Sequence, residues 1–245
     1  MTEQKGSWQL SEEVTQMLLY EISNGRYANV KRLPPEIVLA EELGVSRNLL
    51  RDCLISLERE GFISRKHGVG TVINKHVLDV ATRMDLEKEF LAMVGDAGYE
   101  ARIAKVEIYK ELCSEEVAAR LAIKEKDPVY RVERLITADG RPAIFCTDFI
   151  ALSLIKNDNY DEARLKRPIF EFLEVECETA IHMDLTKISA VLSDGRLSDW
   201  LKVEQGSPLL YMDEIGYDFY GKPVLYSQEY YVEGILKHTV LRKKI

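Results

Sequence analysis

Residues 119–150 read ARLAIKEKDPVYRVERLITADGRPAIFCTDFI, and residues 199–232 read DWLKVEQGSPLLYMDEIGYDFYGKPVLYSQEYYV. The second segment restates the first. Leu121 matches Leu201, Ile123 matches Val203 and Pro128 matches Pro208, at an offset of 80; Gly140-Arg141-Pro142 then matches Gly221-Lys222-Pro223 at 81. Such self-similarity implies two copies of one unit, each a short helix followed by a hairpin of two long strands. Between them lie a helical pattern over 169–176 and a strand-like run over 181–192. The combination specifies an α+β domain built around an antiparallel sheet, with a pseudo-twofold relation between its halves.

The stretch ahead of the repeat has a different grammar. Val14, Met17, Leu18 and Ile22 recur at helical spacing and stop near Asn24-Gly25. Leu33-Pro34-Pro35-Glu36 marks a second helix, since proline is tolerated in a first turn, and Gly44 ends it. Ser46 is placed as the N-cap of a third helix whose buried stripe is Leu50, Leu54 and Leu57. That stripe leaves Arg47, Asn48 and Arg51 together on the opposite side of the first turn. After Gly61, two short strands flank Lys66-His67-Gly68-Val69-Gly70, a hairpin with a basic, glycine-rich tip. Three helices and a β-ribbon make a winged helix, in which arginines at a helix start enter a DNA groove and the wing follows the backbone. Further on, Thr82-Arg83-Met84-Asp85 reads as a capping box before a helix carrying Leu86, Phe90, Leu91, Met93 and Val94.

The net charge of −8 argues against nucleic acid until its distribution is considered. Residues 1–75 hold equal numbers of basic and acidic side chains, so the remainder carries the whole excess. Cys53, Cys113, Cys146 and Cys177 are widely spaced with no C-x-x-C pair, which predicts reduced, packed thiols. No apolar run approaches a membrane span, and the start MTEQKGSWQLSEEV lacks a signal pattern, so a cytoplasmic protein with no membrane partner is expected.

The segment LPPEIVLAEELGVSRNLLRDCLISLEREGFISRKHGVGT resembles the winged-helix domain of the GntR family of bacterial transcription regulators. Its L-P-x-E, L-A, G-V-S-R with a further Arg, E-G-hydrophobic-I and R-x-x-G-x-G-T elements carry the resemblance. It implies DNA contacts from Ser46, Arg47, Asn48 and Arg51, and from Arg65, Lys66, His67, Gly68, Gly70 and Thr71 in the wing. Pro35, Ile37 and Leu49 depart from the family's Ser, Arg and Thr, and each departure removes a phosphate contact.

The repeat in turn resembles the UTRA effector domain, which shares its fold with chorismate lyase and defines the HutC-type branch of that family. The implied layout is a DNA-binding domain over 1–75, a linker over 76–83, and an effector-binding and dimerisation domain over 84–245. Sugar-phosphate-sensing members use an Arg-x-Arg pair, two Glu and two Tyr; here Arg134 and Tyr231 match, whereas Ile136, Cys146, Phe170 and Leu225 replace the polar groups. The resemblance therefore implies a less polar effector held by Arg134 and Tyr231 against Phe170 and Leu225. The alternative is that Arg134 pairs internally, for instance with Glu214 in the other repeat.

Two rival classes compete with a ligand-controlled regulator. An enzyme is disfavoured because no Ser-His-Asp order, H-E-x-x-H or P-loop occurs, and His67, His76, His182 and His238 are isolated; no cofactor or metal is expected. A purely architectural DNA-binding protein lacks use for so large a second domain except dimerisation. The reading is a small-molecule-controlled regulator, a repressor rather than an activator, acting as a homodimer on palindromic double-stranded DNA.

Overall fold

The computed structural model describes residues 2–157 and 159–244. Its contacts separate two units: the chain up to Ala81 together with the end from Leu241, and Thr82–Val240.

In the first unit, Val14, Leu18 and Ile22 lie four apart and form the buried ridge of α1 (Thr2–Ser23). Met17, expected on that ridge, is 40% exposed. It sits about 100° around the helix from Leu18, outside the arc that α3 (Arg47–Arg59) covers. Between them, α2 (Glu36–Leu43) begins after Pro35, ends at Gly44, and buries Leu39 and Ala40. Ser46 caps α3 as its residue type predicts, its Oγ accepting from the Leu49 N–H at 3.2 Å. Leu50, Cys53, Leu54 and Leu57 form the buried face of α3. The ribbon follows as β1 (Ile63–Lys66) and β2 (Gly70–Ile73), antiparallel, with Lys66 opposite Gly70. Gly68 and Gly70 both have positive φ, a conformation that side-chain-bearing residues resist, which is what lets the tip turn so tightly.

Residues 76–83, expected to be a plain linker, carry structure. A one-turn helix, α4 (Lys75–Leu78), buries Val77, and β3 (Thr82–Arg83) pairs in parallel with β10 (His238–Thr239). That pairing overturns the capping box at 82–85. Thr82 is recruited into a ribbon with a segment more than 150 residues away, and α5 (Phe90–Asp96) starts later, at Glu89, without a side-chain cap. The chain end from Leu241, expected in the second domain, belongs to the first unit.

The second unit is one six-stranded antiparallel sheet. Its strands are β4 (Ala101–Leu112), β5 (Pro128–Ala138), β6 (Arg141–Ala151), β7 (Met183–Leu192), β8 (Pro208–Tyr217) and β9 (Pro223–Val232), in the order β4-β5-β6-β9-β8-β7. With α6 (Glu115–Leu121), α7 (Ile169–Glu176) and α8 (Gly195–Leu201), the halves are β4-α6-β5-β6 and β7-α8-β8-β9. The repeat thus extends upstream to include β4, which the sequence comparison missed.

The equivalence reaches single atoms. Ser114 accepts from the Val117 N–H and Asp194 from the Leu197 N–H, so both helices are N-capped 80 residues apart. Both also end in a left-handed residue, Ala122 and Lys202. Cys113 Sγ donates to the Lys124 carbonyl, and Ser193 Oγ to the Glu204 carbonyl. All four cysteines are free and buried.

Strand alternation sorts the core into two layers. Val129, Phe149 and Tyr226 pack under α6, and Phe145 and Leu209 under α8. On the opposite face, Val132, Ile150 and Leu225 pack with α7, while Ile136, Ile144, Cys146 and Tyr231 pack with Val94 of α5. No helix among the described residues is long and apolar enough to cross a membrane.

Candidate functional site

At the start of α3, Ser46, Arg47, Asn48 and Arg51 are all exposed, as the amphipathic pattern requires. Arg51 reaches Glu36 of α2 at 3.3 Å, a contact half open to solvent and therefore weak. Arg65 in β1 is tied more firmly: its guanidinium meets Glu58 at 2.8 Å, and its backbone N–H donates to the same carboxylate at 2.8 Å. Those bonds hold the Glu58 carboxyl below its usual range despite partial burial, which alone would raise it. Arg65 thus braces the wing against α3. Lys66 and His67 stand exposed at the tip, beside Gly68, Gly70 and the half-buried Thr71. Glu36 and Glu58 are the partners that sequence reading overlooked; three-residue patterns do not show which acid faces which arginine across elements.

The far end of α3 is closed by Lys243. Lys243 Nζ donates to the carbonyls of Glu58 and Arg59, at 2.6 and 2.7 Å, satisfying two groups that a helix end leaves open.

The second unit holds a cleft of about 510 Å³, lined on one side by Met84, Leu86 and Glu87 and on the other by Phe170, Ile181, His182, Met183, Asp184 and Thr186. A narrow crevice adjoins it beneath residues 87–90, sharing Glu87 and Phe170, with Asp148, Glu214, Leu225, Ser227 and Glu229 on its floor.

Of the six residues expected to hold an effector, Phe170 and Leu225 line these spaces. Arg134, Ile136, Cys146 and Tyr231 do not. Ile136 and Cys146 are fully buried under α5. Arg134, 2% exposed, pairs with Asp148 and donates to the Leu165 carbonyl at 2.8 Å and the Arg167 carbonyl at 3.3 Å. The internal-pairing alternative is therefore what the structure shows, with Asp148 and not Glu214 as the partner. Ser227 Oγ donates to the other oxygen of Asp148 at 2.6 Å. Tyr231 donates to Glu229 at 2.5 Å and packs edge-on against His238.

The surprise is acidity. Glu87, Asp184 and Glu214 bring carboxylate oxygens within 4.8 Å of one another, and Glu229 lies behind them. Glu87 is an exposed residue, yet the protein packed around its carboxyl pushes it up to about 9, with Glu214 and Asp184 adding to the rise. Asp184 rises to about 7 through burial and the Glu214 charge. Glu214 and Glu229 are raised by burial, Glu229 further by Glu214 beside it. None of these acids is among the positions Ile136, Cys146, Phe170 and Leu225, whose apolar or thiol side chains suggested a less polar pocket. These acids come from a loop and from strands far apart in sequence.

Comparison with known proteins meets this geometry on both units. The pattern of the UTRA domain matches residues 96–233, over half the chain, and that of bacterial regulatory proteins of the gntR family matches residues 10–73. The chain is a GntR-family regulator with a UTRA domain. GmuR, an HTH-type transcriptional regulator of Bacillus subtilis (strain 168), is 29% identical over 209 residues, 84% of this chain and 86% of that one. A protein named "Probable fructoselysine utilization operon transcriptional repressor" in Escherichia coli (strain K12) is 25% identical over 221 residues, 88% and 87% of the two chains. Among solved structures, YydK from Bacillus subtilis subsp. subtilis str. 168 superposes with a TM-score of 0.75 at 18% identity, covering 95% of this chain and 99% of that one. PhnF from Mycobacterium smegmatis gives 0.56 at 18%, covering 95% and 98%. These likenesses establish the α+β fold of this GntR regulator, a helical DNA-binding domain and an antiparallel-sheet effector domain.

Proposed function

We propose that this GntR-family regulator is a repressor whose operator affinity is set by a small molecule bound in the cleft of its UTRA domain. The observation that carries the DNA half is the exposed first turn of α3, capped by Ser46 and bearing Arg47, Asn48 and Arg51, beside a wing that Glu58 and Arg65 hold in place. Guanidinium forks at such a helix start match guanine edges or phosphates, and Lys66, His67 and the turn glycines Gly68 and Gly70 track the backbone. One short helix reads few base pairs, so the regulator acts in the cytoplasm as a homodimer on a palindromic site. The word "repressor" in the name of the Escherichia coli relative supports the sign of control. A ligand acts by binding one arrangement of the dimer better than another, which changes affinity for DNA.

The test is selection of bound sequences from a random duplex pool, followed by salt-titrated binding of the winner. A palindromic winner is expected, bound by wild type and weakened by Arg51→Ala, with the slope of log affinity against log salt reduced by about 1 if Arg51 meets a phosphate. No enrichment at any salt would refute the reading.

A further inference from the structure

The two halves of the sheet place different chemistry at equivalent points. Arg134 on β5 and Asp148 on β6 form a closed ion pair. Their counterparts, 80 and 81 residues on, are Glu214 on β8 and Glu229 on β9. Where the first half buries a cation beside an anion, the second buries two anions. Glu214 is 7% exposed and Glu229 is 5% exposed. Buried carboxylates are ordinarily paired with a cation, because removing the charge from water is otherwise too costly.

Here the partners are neutral hydroxyls. Thr186 Oγ1 donates to Oε2 of Glu214, and the Tyr231 hydroxyl to Oε2 of Glu229. Oε1 of each accepts no hydrogen bond among the described residues, and both side chains line the crevice. The lysine that lines the crevice, Lys88, has its Nζ on Asp96 at 2.7 Å, and Arg134 is held by Asp148 on the crevice floor. At the cleft side Asp184 adds a buried Oδ2 that accepts nothing.

We propose that the effector carries a primary ammonium group that docks among Glu87, Asp184 and Glu214, with Glu229 beneath it, filling the place that Arg134 fills in the other half. A tetrahedral ammonium making N–H···O bonds of about 2.8–3.0 Å holds acceptor oxygens about 4.6–4.9 Å apart. The three carboxylates fall within that span. Met84, Leu86, Phe170, Ile181 and Met183 line the same cleft and supply the apolar wall for an organic body, which a bare metal ion would not use. An anionic head group has no Lys or Arg to meet there; the cleft offers it one exposed histidine, His182.

The inference rests on effector control as proposed above, and its test separates the two. Full-length protein is titrated calorimetrically with hexylamine and glucosamine, with hexanol and glucose as uncharged counterparts, with glucose 6-phosphate, and with calcium or magnesium chloride alone. The ammonium-bearing probes are expected to bind, their counterparts not, and Glu214→Gln and Asp184→Asn are each expected to weaken binding roughly tenfold or more. Both variants remove a repelling charge, so thermal melting should show them folded and no less stable than wild type. Tighter binding of glucose 6-phosphate than of glucosamine, binding of calcium or magnesium alone, or no binding by any ammonium probe would each overturn the proposal. Operator binding measured on the same samples distinguishes the failures. A protein that holds its operator yet ignores every ammonium probe refutes the cationic effector alone, whereas absence of any enriched operator refutes the regulator reading.

Discussion

Replacing Arg134 by Ala removes a guanidinium from a site where neither it nor Asp148 is more than 2% exposed. Three acceptors lose their donor at once: the Asp148 carboxylate and the carbonyls of Leu165 and Arg167. Breaking one side of a buried ion pair costs about 3–5 kcal/mol. For a unit of this size that lowers the melting temperature by roughly 6–20 °C. The loss is limited because Asp148 can take up a proton. Burial already raises its carboxyl above the ordinary range even with Arg134 beside it, and without Arg134 the rise must be larger. In the variant, the folded protein then holds a proton that the unfolded chain has released above pH about 4. Native protonation in excess of the unfolded state makes stability fall as pH rises, so the penalty should grow by up to about 1.4 kcal/mol per pH unit until the folded Asp148 ionises. Urea denaturation of wild type, Arg134→Ala and the double variant Arg134→Met with Asp148→Leu, at pH 5 and pH 8, measures this. The single variant should be weaker at both and worse at pH 8, and the double variant should recover most of the loss. A single variant within about 1 kcal/mol of wild type at both pH values would refute the structural role of the pair.

Three further outcomes are expected. Ser46→Ala should destabilise the first unit by about 1 kcal/mol in thermal melts, since the Leu49 N–H loses its acceptor. Gly61→Ala should destabilise the same unit by more than about 1 kcal/mol, because φ is +85° there and the added Cβ would come 2.3 Å from the Leu241 side chain; removing residues 241–245 should relieve the clash but not the strained φ. In the cleft, Asp184 titrates near 7 when folded, against about 3.8 for an ordinary aspartate. The folded state therefore binds more protons between those values, and stability should fall as pH rises through that window, with a flatter profile in Asp184→Asn. An unchanged urea midpoint from pH 4 to 7 in both proteins would contradict the assignment.

Much of this was legible in advance because it is local. The helix cap at Ser46, the end of α2 at Gly44, and the hairpin tips at Gly140 and Gly221 each depend on a few adjacent residues. The 80-residue echo foretold the two hairpins and their helices. It did not reveal β4, whose sequence ARIAKVEIYKEL has no evident likeness to MDLTKISAVL in β7 even though the two strands occupy matching edges. An edge strand has one hydrogen-bonded neighbour and a half-exposed surface, so its side chains are less constrained.

The cleft was harder to foresee, for a different reason. Of the positions that match the family's pocket, Ile136, Cys146 and Tyr231 are packed under α5, and Arg134 is closed into its pair with Asp148. Glu87, Asp184, Glu214 and Glu229 carry no motif, and nothing in their spacing announces that they meet. By itself, the sequence determined the class of each segment, the twofold plan of the second unit and the arginine-bearing face of α3, since periodicity, capping and turn chemistry act over a few residues. Only the tertiary structure decided which charges face one another. Whether Arg134 met Glu214 or Asp148, whether residues 82–83 entered a helix or a strand, and where uncompensated acids gathered all depend on contacts between separate elements of the chain. Burial makes those contacts energetically decisive, and local sequence does not encode burial on its own.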